Sequence, residues 1–279
     1  SRIKAYFNIC QHRGGPIVDE NNCYQKFQCQ YHGWIYTNEG KLRNARGFDK
    51  DELKKSDFNL KEINVSVWNG LMFINFNKRC NSLESIYEKL EKRINKRNFS
   101  SYQFYKRDSY NISCNWKIYM DNYLEGLHIP IVHPELNKTI NYKSYKTEIH
   151  NQFSLQWCSI DPHLNPYKND SPEDLIAYYV TIFPNVILNI APGRLQTNIV
   201  EPIDEKSCVV HFDYYFEQID KKQIQKDLDF SDTVQREDIE ICESVQASYE
   251  AKGFKNGIIS ERHESGILHF HSRLKEILL

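Results

Sequence analysis

Residues 8–34 read NICQHRGGPIVDENNCYQKFQCQYHGW and carry two thiol–imidazole pairs, Cys10-Gln11-His12 and Cys29-Gln30-Tyr31-His32, with 16 residues between them. A set of two cysteines and two histidines holds zinc or an iron–sulfur cluster. Zinc spacing normally groups the cysteines together and the histidines together. Here each half contributes one of each. That mixed pairing suits a [2Fe–2S] centre in which two thiolates hold one iron and two imidazoles the other, the Rieske arrangement. Gly14-Gly15 and Gly33 follow the pairs, and glycines let backbone amides come close to the sulfides and raise the potential. Cys23 lies between the pairs and reads as structural rather than as a ligand.

A second group of residues with chemistry lies in NWKIYMDNYLEGLHIPIVHP, residues 115–134. His128 and His133 are five residues apart, about 140° around a continuous helix, so an unbroken helix would not bring both to one ion. Pro130 cannot continue a helix, and a break just after His128 lets the second imidazole swing round. The third ligand is expected from SDTVQREDIEICESVQASYEA, residues 231–251, where Val234, Ile241, Cys242, Val245 and Tyr249 form an apolar stripe. Asp238 falls inside that stripe, whereas Glu237, Glu240 and Glu243 do not. A carboxylate facing a core is costly unless it is bonded or binds a metal. Two histidines and one inward carboxylate make the facial triad of non-haem Fe(II) sites that keep positions open for O2. Glu125 shares a helical face with His128. Asp121 and Asn122, one turn earlier, are candidates to support the ligands. His150, His163, His211, His263, His269 and His271 are read as packing and hydrogen-bonding residues.

The elements that position these groups are legible in outline. Residues 1–78 read as a β domain, with short strands ending at each pair and hairpins turning at Asn38-Glu39-Gly40 and Asn69-Gly70. Residues 79–279 read as a second domain. It has helices over 82–97, 115–127, 231–251 and 263–279, a strand near 102–112 and mostly strands over 143–217. Long antiparallel strands with flanking helices mean α+β rather than a doubly wound sheet. The chain has 279 residues with 36 basic and 37 acidic side chains, and that balance gives no support to polyanion binding. Eight scattered cysteines suggest a reduced, cytoplasmic protein, and no run of about 18 apolar residues suggests a membrane span. The chain starts at Ser1, only nine residues before Cys10. A fragment lacking its native N-terminus is therefore expected.

CQHRGG and CQYHGW resemble the two cluster loops of the Rieske oxygenase family, whose usual second loop is C-P-Y-H-G-W; Gln30 replaces the proline at a non-ligand position. FPNVILNIAPGRLQTNIVEP, CVVHFDYYF, VQREDIEICESVQ and GILHFH resemble the catalytic domain of its α subunits, nearest the choline and carnitine monooxygenase branch. The resemblance implies a Rieske β domain joined to a helix-grip (START-like) catalytic domain, with a [2Fe–2S] cluster, a mononuclear Fe(II) and O2 activation. It also implies that Glu125 bridges a cluster histidine, usually of a neighbouring subunit, to an iron histidine, giving a path His32–Glu125–His128. Electrons then come from a separate NAD(P)H-dependent flavin/iron–sulfur reductase, since no nucleotide-binding glycine fingerprint is present. A homotrimer is the common assembly. The expected reaction is hydroxylation of a small organic substrate, beside a quaternary nitrogen on this branch; aromatic-ring dioxygenation, demethylation of a carboxylated substrate, and a non-catalytic electron carrier or remnant binding protein are the alternatives.

Overall fold

The computed structural model describes residues 3–20, 23–49, 51–80, 82–94, 97–161 and 175–279; His163 lies outside them. Two compact units divide the chain, 1–95 and 96–279. The first contains β1 (Ala5–Tyr6), β2 (Phe27–Gln28), β3 (Ile35–Tyr36), β4 (Leu42–Asn44), β5 (Glu62–Trp68) and β6 (Leu71–Asn75). These make two antiparallel sheets, β1-β5-β6 and β2-β3-β4. Asn69 and Gly70 take φ of 49° and 83°, the left-handed pair that a two-residue hairpin needs to match strand twist. The helix α1 (Glu84–Arg93) follows. Trp68 Nε1 donates to Glu91 Oε1 at 2.8 Å, and Tyr87 stacks on Trp68 with centroids 6.3 Å apart. These contacts tie α1 to the end of β5, and the compact units divide after residue 95, where the sequence places the expected boundary after residue 78.

In the second unit come β7 (Gln103–Ile112), α2 (Trp116–Tyr123), α3 (Ile129–Val132), α4 (Pro134–Thr139), β8 (Lys146–Ile149), β9 (Phe153–Ser159), β10 (Ile176–Ile182), β11 (Val186–Ala191), β12 (Arg194–Pro202), β13 (Cys208–Phe216), α5 (Lys221–Glu250) and α6 (Ser265–Leu278). The sheet is antiparallel throughout, in order β7-β13-β12-β11-β10-β9-β8. Met120 and Leu124 from the α2 segment, Ile224, Leu228 and Cys242 from α5, and Phe270 from α6 share one core with Phe212, Tyr214 and Phe216 of β13. This is the α+β architecture expected. Among the described residues no helix is long and apolar enough to cross a membrane.

Helix α5 starts ten residues before the expected Ser231. Its cap is Asp220, whose carboxylate accepts from the amides of Lys222 (3.0 Å) and Gln223 (3.2 Å). Ser231 instead lies mid-helix, buried, with its Oγ 3.1 Å from Tyr214 Oη. α6 reaches α2 through His271, whose Nε2 is 2.8 Å from Asp121 Oδ1. Gly266 permits that approach: a Cβ there would stand 2.3 Å from the Leu124 carbonyl oxygen. Gly266→Ala is therefore expected to cost roughly 1–3 kcal/mol, read as a lowered thermal midpoint in calorimetry; an unchanged midpoint would refute the close packing.

Candidate metal centres

The two loops of the first unit are built alike. The Cys10 amide donates to the Gly15 carbonyl at 2.8 Å, and the Gly14 amide to the Cys10 carbonyl at 2.9 Å. In the second loop the Cys29 amide donates to the Trp34 carbonyl (2.8 Å) and the Gly33 amide to the Cys29 carbonyl (3.0 Å). Gly14 and Gly33, each four residues after its cysteine, both sit at φ +74°, a conformation glycine enters without steric cost. Gly15 is needed for space instead. A Cβ there would lie 2.9 Å from Tyr31 Cβ and 3.1 Å from Cys29 Sγ. The glycines therefore let the loops close against each other.

That closure brings the four expected ligands together. The rings of His12 and His32 lie 4.6 Å apart, and His12 stacks on the buried Trp34 at 4.7 Å. Cys10 and Cys29 are both buried. Tyr36 Oη accepts from the Gln11 amide at 3.1 Å and lies 3.2 Å from Cys10 Sγ, within reach to donate to that sulfur once it is a thiolate. The Tyr31 amide points at Cys29 Sγ from 3.4 Å. Burial pushes the Cys10 thiol up and the His12 imidazolium down. His12 Nδ1 is buried with no hydrogen-bond partner among the described residues. Two sulfurs supplied with donors and an imidazole nitrogen left unpaired fit a [2Fe–2S] cluster.

In the second unit, His128, His133 and Asp238 place their ligand atoms within 4.8 Å of one another, and they form the metal-capable group found among the described residues. Asp238 Oδ1 is 3.0 Å from His133 Nε2 and 3.9 Å from His128 Nε2. The outer ring nitrogens are held by carboxylates. His128 Nδ1 is 2.5 Å from Glu125 Oε1, and His133 Nδ1 is 2.7 Å from Glu237 Oε2. Each Nδ1 is thereby held by a carboxylate and each Nε2 faces Asp238, the pattern in which carboxylates orient metal-binding imidazoles. Asn122 Nδ2 donates to Asp238 Oδ1 at 2.6 Å. Burial opposes the charged form of His133, yet Asp238 and Glu237 outweigh it and hold its pKa above the ordinary value. This donor set fits a divalent iron.

The local chain path differs from the one expected. The helix ends at Tyr123, before His128 rather than just after it. The Glu125 carboxylate accepts from the Leu127 amide and from the His128 amide (3.4 Å), making a turn, and a Cβ at Gly126 would stand 2.7 Å from the Tyr145 ring. Pro130 then lies in the first turn of α3, where its missing N–H costs nothing. Glu125 meets His128 through this turn and not through helical spacing. Asp121 turns away to His271. Glu237, which falls outside the apolar stripe, is the functional neighbour that the stripe pattern misses. His150 pairs with Glu148 at 2.7 Å, and His211 contacts Ser109 (2.8 Å) and Glu201 (3.1 Å), in keeping with packing roles.

A cavity of about 130 Å³ opens onto the trio, floored by the sheet and roofed by α2 and α5. Gln156, Tyr179, Asn189 and Gln196 are successive cross-strand partners on β9, β10, β11 and β12, and all four line it. Tyr123 Oη donates to Asn189 (2.7 Å), Tyr145 Oη to Gln156 (2.9 Å), and Gln196 Nε2 to Asn198 (2.9 Å).

By fold and site, the chain is a Rieske-type β unit followed by an antiparallel-sheet catalytic unit. Residues 1–64 match the Rieske [2Fe-2S] domain family, and residues 99–279 match the ring hydroxylating alpha subunit (catalytic domain) family. The chain belongs to the ring-hydroxylating α-subunit family, and its cofactors are a Rieske [2Fe–2S] cluster and a mononuclear iron. It is 28% identical to the chloroplastic choline monooxygenase of Spinacia oleracea over 99% of this chain and 65% of that protein. It is 27% identical to the carnitine monooxygenase oxygenase subunit of Escherichia coli (strain K12) over 99% of this chain and 78% of that one. The chain thus spans about 65% of the length of the spinach protein. A solved quaternary ammonium Rieske monooxygenase, described for carnitine oxidation and inter-subunit electron transfer, superposes with TM-score 0.82 at 22% identity, covering 98% of this chain and 78% of that one.

Proposed function

We propose that this chain is the oxygenase component of a Rieske-type monooxygenase that hydroxylates a small organic substrate beside a quaternary nitrogen. Cys10, His12, Cys29 and His32 hold the cluster, and His128, His133 and Asp238 hold the iron. The observation that carries the reading is the trio of ligand atoms within 4.8 Å, with both outer imidazole nitrogens already held by carboxylates. When bound, the two groups supply electrons and an O2 site; one oxygen atom enters a C–H bond and the other leaves as water, taking two electrons and two protons. Asp238 contributes one negative charge against two neutral imidazoles, so a divalent iron keeps open positions. Glu125 keeps the Nδ1 proton on His128 and serves the electron path from His32, by family resemblance from a neighbouring subunit of a trimer. Tyr119, Tyr123, Tyr145 and Tyr179 line the cavity and offer aromatic faces to a cation. A separate NAD(P)H-dependent reductase supplies electrons. Eight free cysteines support a reducing compartment, the cytoplasm.

Iron and acid-labile sulfide analysis of the full-length protein tests this reading. About three irons and two sulfides per chain are expected; stoichiometric zinc without sulfide would defeat it. Glu237→Ala is expected to weaken binding of the mononuclear iron by about 10- to 100-fold while the cluster spectrum is unchanged. Competition of the variant against a chelator measures this, and unaltered iron retention would show that Glu237 does not orient His133.

A further inference from the structure

Resting on the oxygenase reading above, we infer that the substrate carries a carboxylate, and that Arg194 binds it at the end of the cavity away from the iron ligands. Arg194, Gln196 and Asn198 alternate along β12 and all line the cavity. Gln196 and Asn198 are paired with each other, and Ser231 Oγ donates to Gln196 Oε1 at 3.2 Å. Arg194 differs. Its Nε is buried without a partner, and no hydrogen bond or carboxylate reaches its guanidinium among the described residues. Burial works against its charge, and its close neighbours are the phenols of Tyr179 and Tyr214, which burial keeps protonated. A guanidinium facing a cavity without a counter-charge is costly until an anion pairs with it; a carboxylate fits its fork through two parallel hydrogen bonds.

The direction follows from the sheet. α5 meets β13 at Tyr214 through Ser231, and Glu243 accepts from the amide of Ser113, next to Ile112, whose cross-strand partner is Cys208. The helix therefore runs from the Phe216 end of β13 toward its Cys208 end. Arg194 pairs with Phe216, so it lies toward the start of α5. Asp238 is seven residues beyond Ser231, about 10 Å along the helix. An anion on Arg194 thus leaves the opposite end of the molecule to face His128, His133 and Asp238. Oxidation is placed at a carbon remote from the carboxylate. The chemistry selects a trimethylammonium acid over a trimethylammonium alcohol.

Calorimetric titration of the full-length holoenzyme with three probes tests this: a four-carbon trimethylammonium carboxylate, its methyl ester, and choline. Wild type is expected to bind the acid about 10- to 100-fold more tightly than the ester or choline. Arg194→Gln should erase that preference while leaving ester affinity and the circular dichroism spectrum unchanged, and Arg194→Lys should restore part of it. Equal affinities in wild type, failure of all three to bind, or a preference that survives Arg194→Gln overturns the subsite. If Arg194→Gln does not fold, Arg194→Lys decides: its preference should shrink without vanishing, and an unchanged preference refutes the pairing. Binding of the acid without its oxidation would leave the subsite standing and remove the monooxygenase reading; oxidation without discrimination would do the reverse.

Discussion

Asp238→Ala is expected to abolish the mononuclear iron site while sparing the cluster. Its Oδ1 faces the Nε2 atoms of both His128 and His133, at 3.9 and 3.0 Å, so its removal leaves two neutral donors and no anionic one. Fe(II) held by two imidazoles alone binds weakly, since selection among divalent metals at such sites depends on the full ligand set and its geometry. Iron content should fall by one per chain, and turnover to below about one-thousandth of wild type. The visible absorption of the cluster should stay, because its proposed ligands Cys10, His12, Cys29 and His32 belong to the other compact unit. Asn122 then loses the acceptor at 2.6 Å, so some loss of stability accompanies the change. His133→Ala should behave the same way in metal content. A variant that keeps both its third iron and its turnover rules out the trio as the oxygen site.

Glu125→Gln separates electron delivery from metal binding. The wild-type carboxylate accepts from His128 Nδ1 and from the Leu127 and His128 amides. A glutamine keeps the size and one acceptor oxygen but loses the charge and turns an NH2 group toward a donor. Both metals should remain bound, because neither the cluster ligands nor the inward faces of the trio are altered. Steady-state turnover should drop by about 10- to 100-fold. In stopped flow, the reduced cluster should reoxidise slowly in the presence of substrate and O2. Near wild-type reoxidation in this variant removes Glu125 from the electron path. Loss of iron alone would instead assign it a purely supporting role toward His128.

The residues behind these two outcomes are visible over different distances along the chain. The cluster loops are readable almost in full, because each is closed by hydrogen bonds within six residues, Cys10 to Gly15 and Cys29 to Trp34. Such loops carry their geometry in local chemistry: a cysteine, an imidazole and a glycine at positive φ. Asp238 is readable for another reason, as a charge inside an apolar stripe. Glu237 escapes the same criterion. Adjacent helical residues point about 100° apart, and the stripe classes it as outward. The two nitrogens of His133 face carboxylates from both positions, which no one-dimensional pattern of α5 contains.

The chain turn at Glu125 to His128 shows where local reading stops. Pro130 reads as the breaker, yet the helix ends seven residues earlier because Gly126 lies against the Tyr145 ring and Glu125 caps the turn. The Glu125 cap is local, but the ring against Gly126 belongs to a residue nearly twenty positions away. α1 joins the first unit for a similar reason, through Trp68. The amino-acid order thus carried the α+β plan and the residue types of the proposed ligand loops, since these depend on spacing and torsion within a few residues. Tertiary structure decided the rest: Asp238 and Glu237 reach His133 across more than a hundred residues. Strand register alone sets Gln156, Tyr179, Asn189 and Gln196 in one row, with Arg194 left without a counter-charge among the described residues. Alternation says which side chains share a face of a strand, but only pairing between strands says which of them meet.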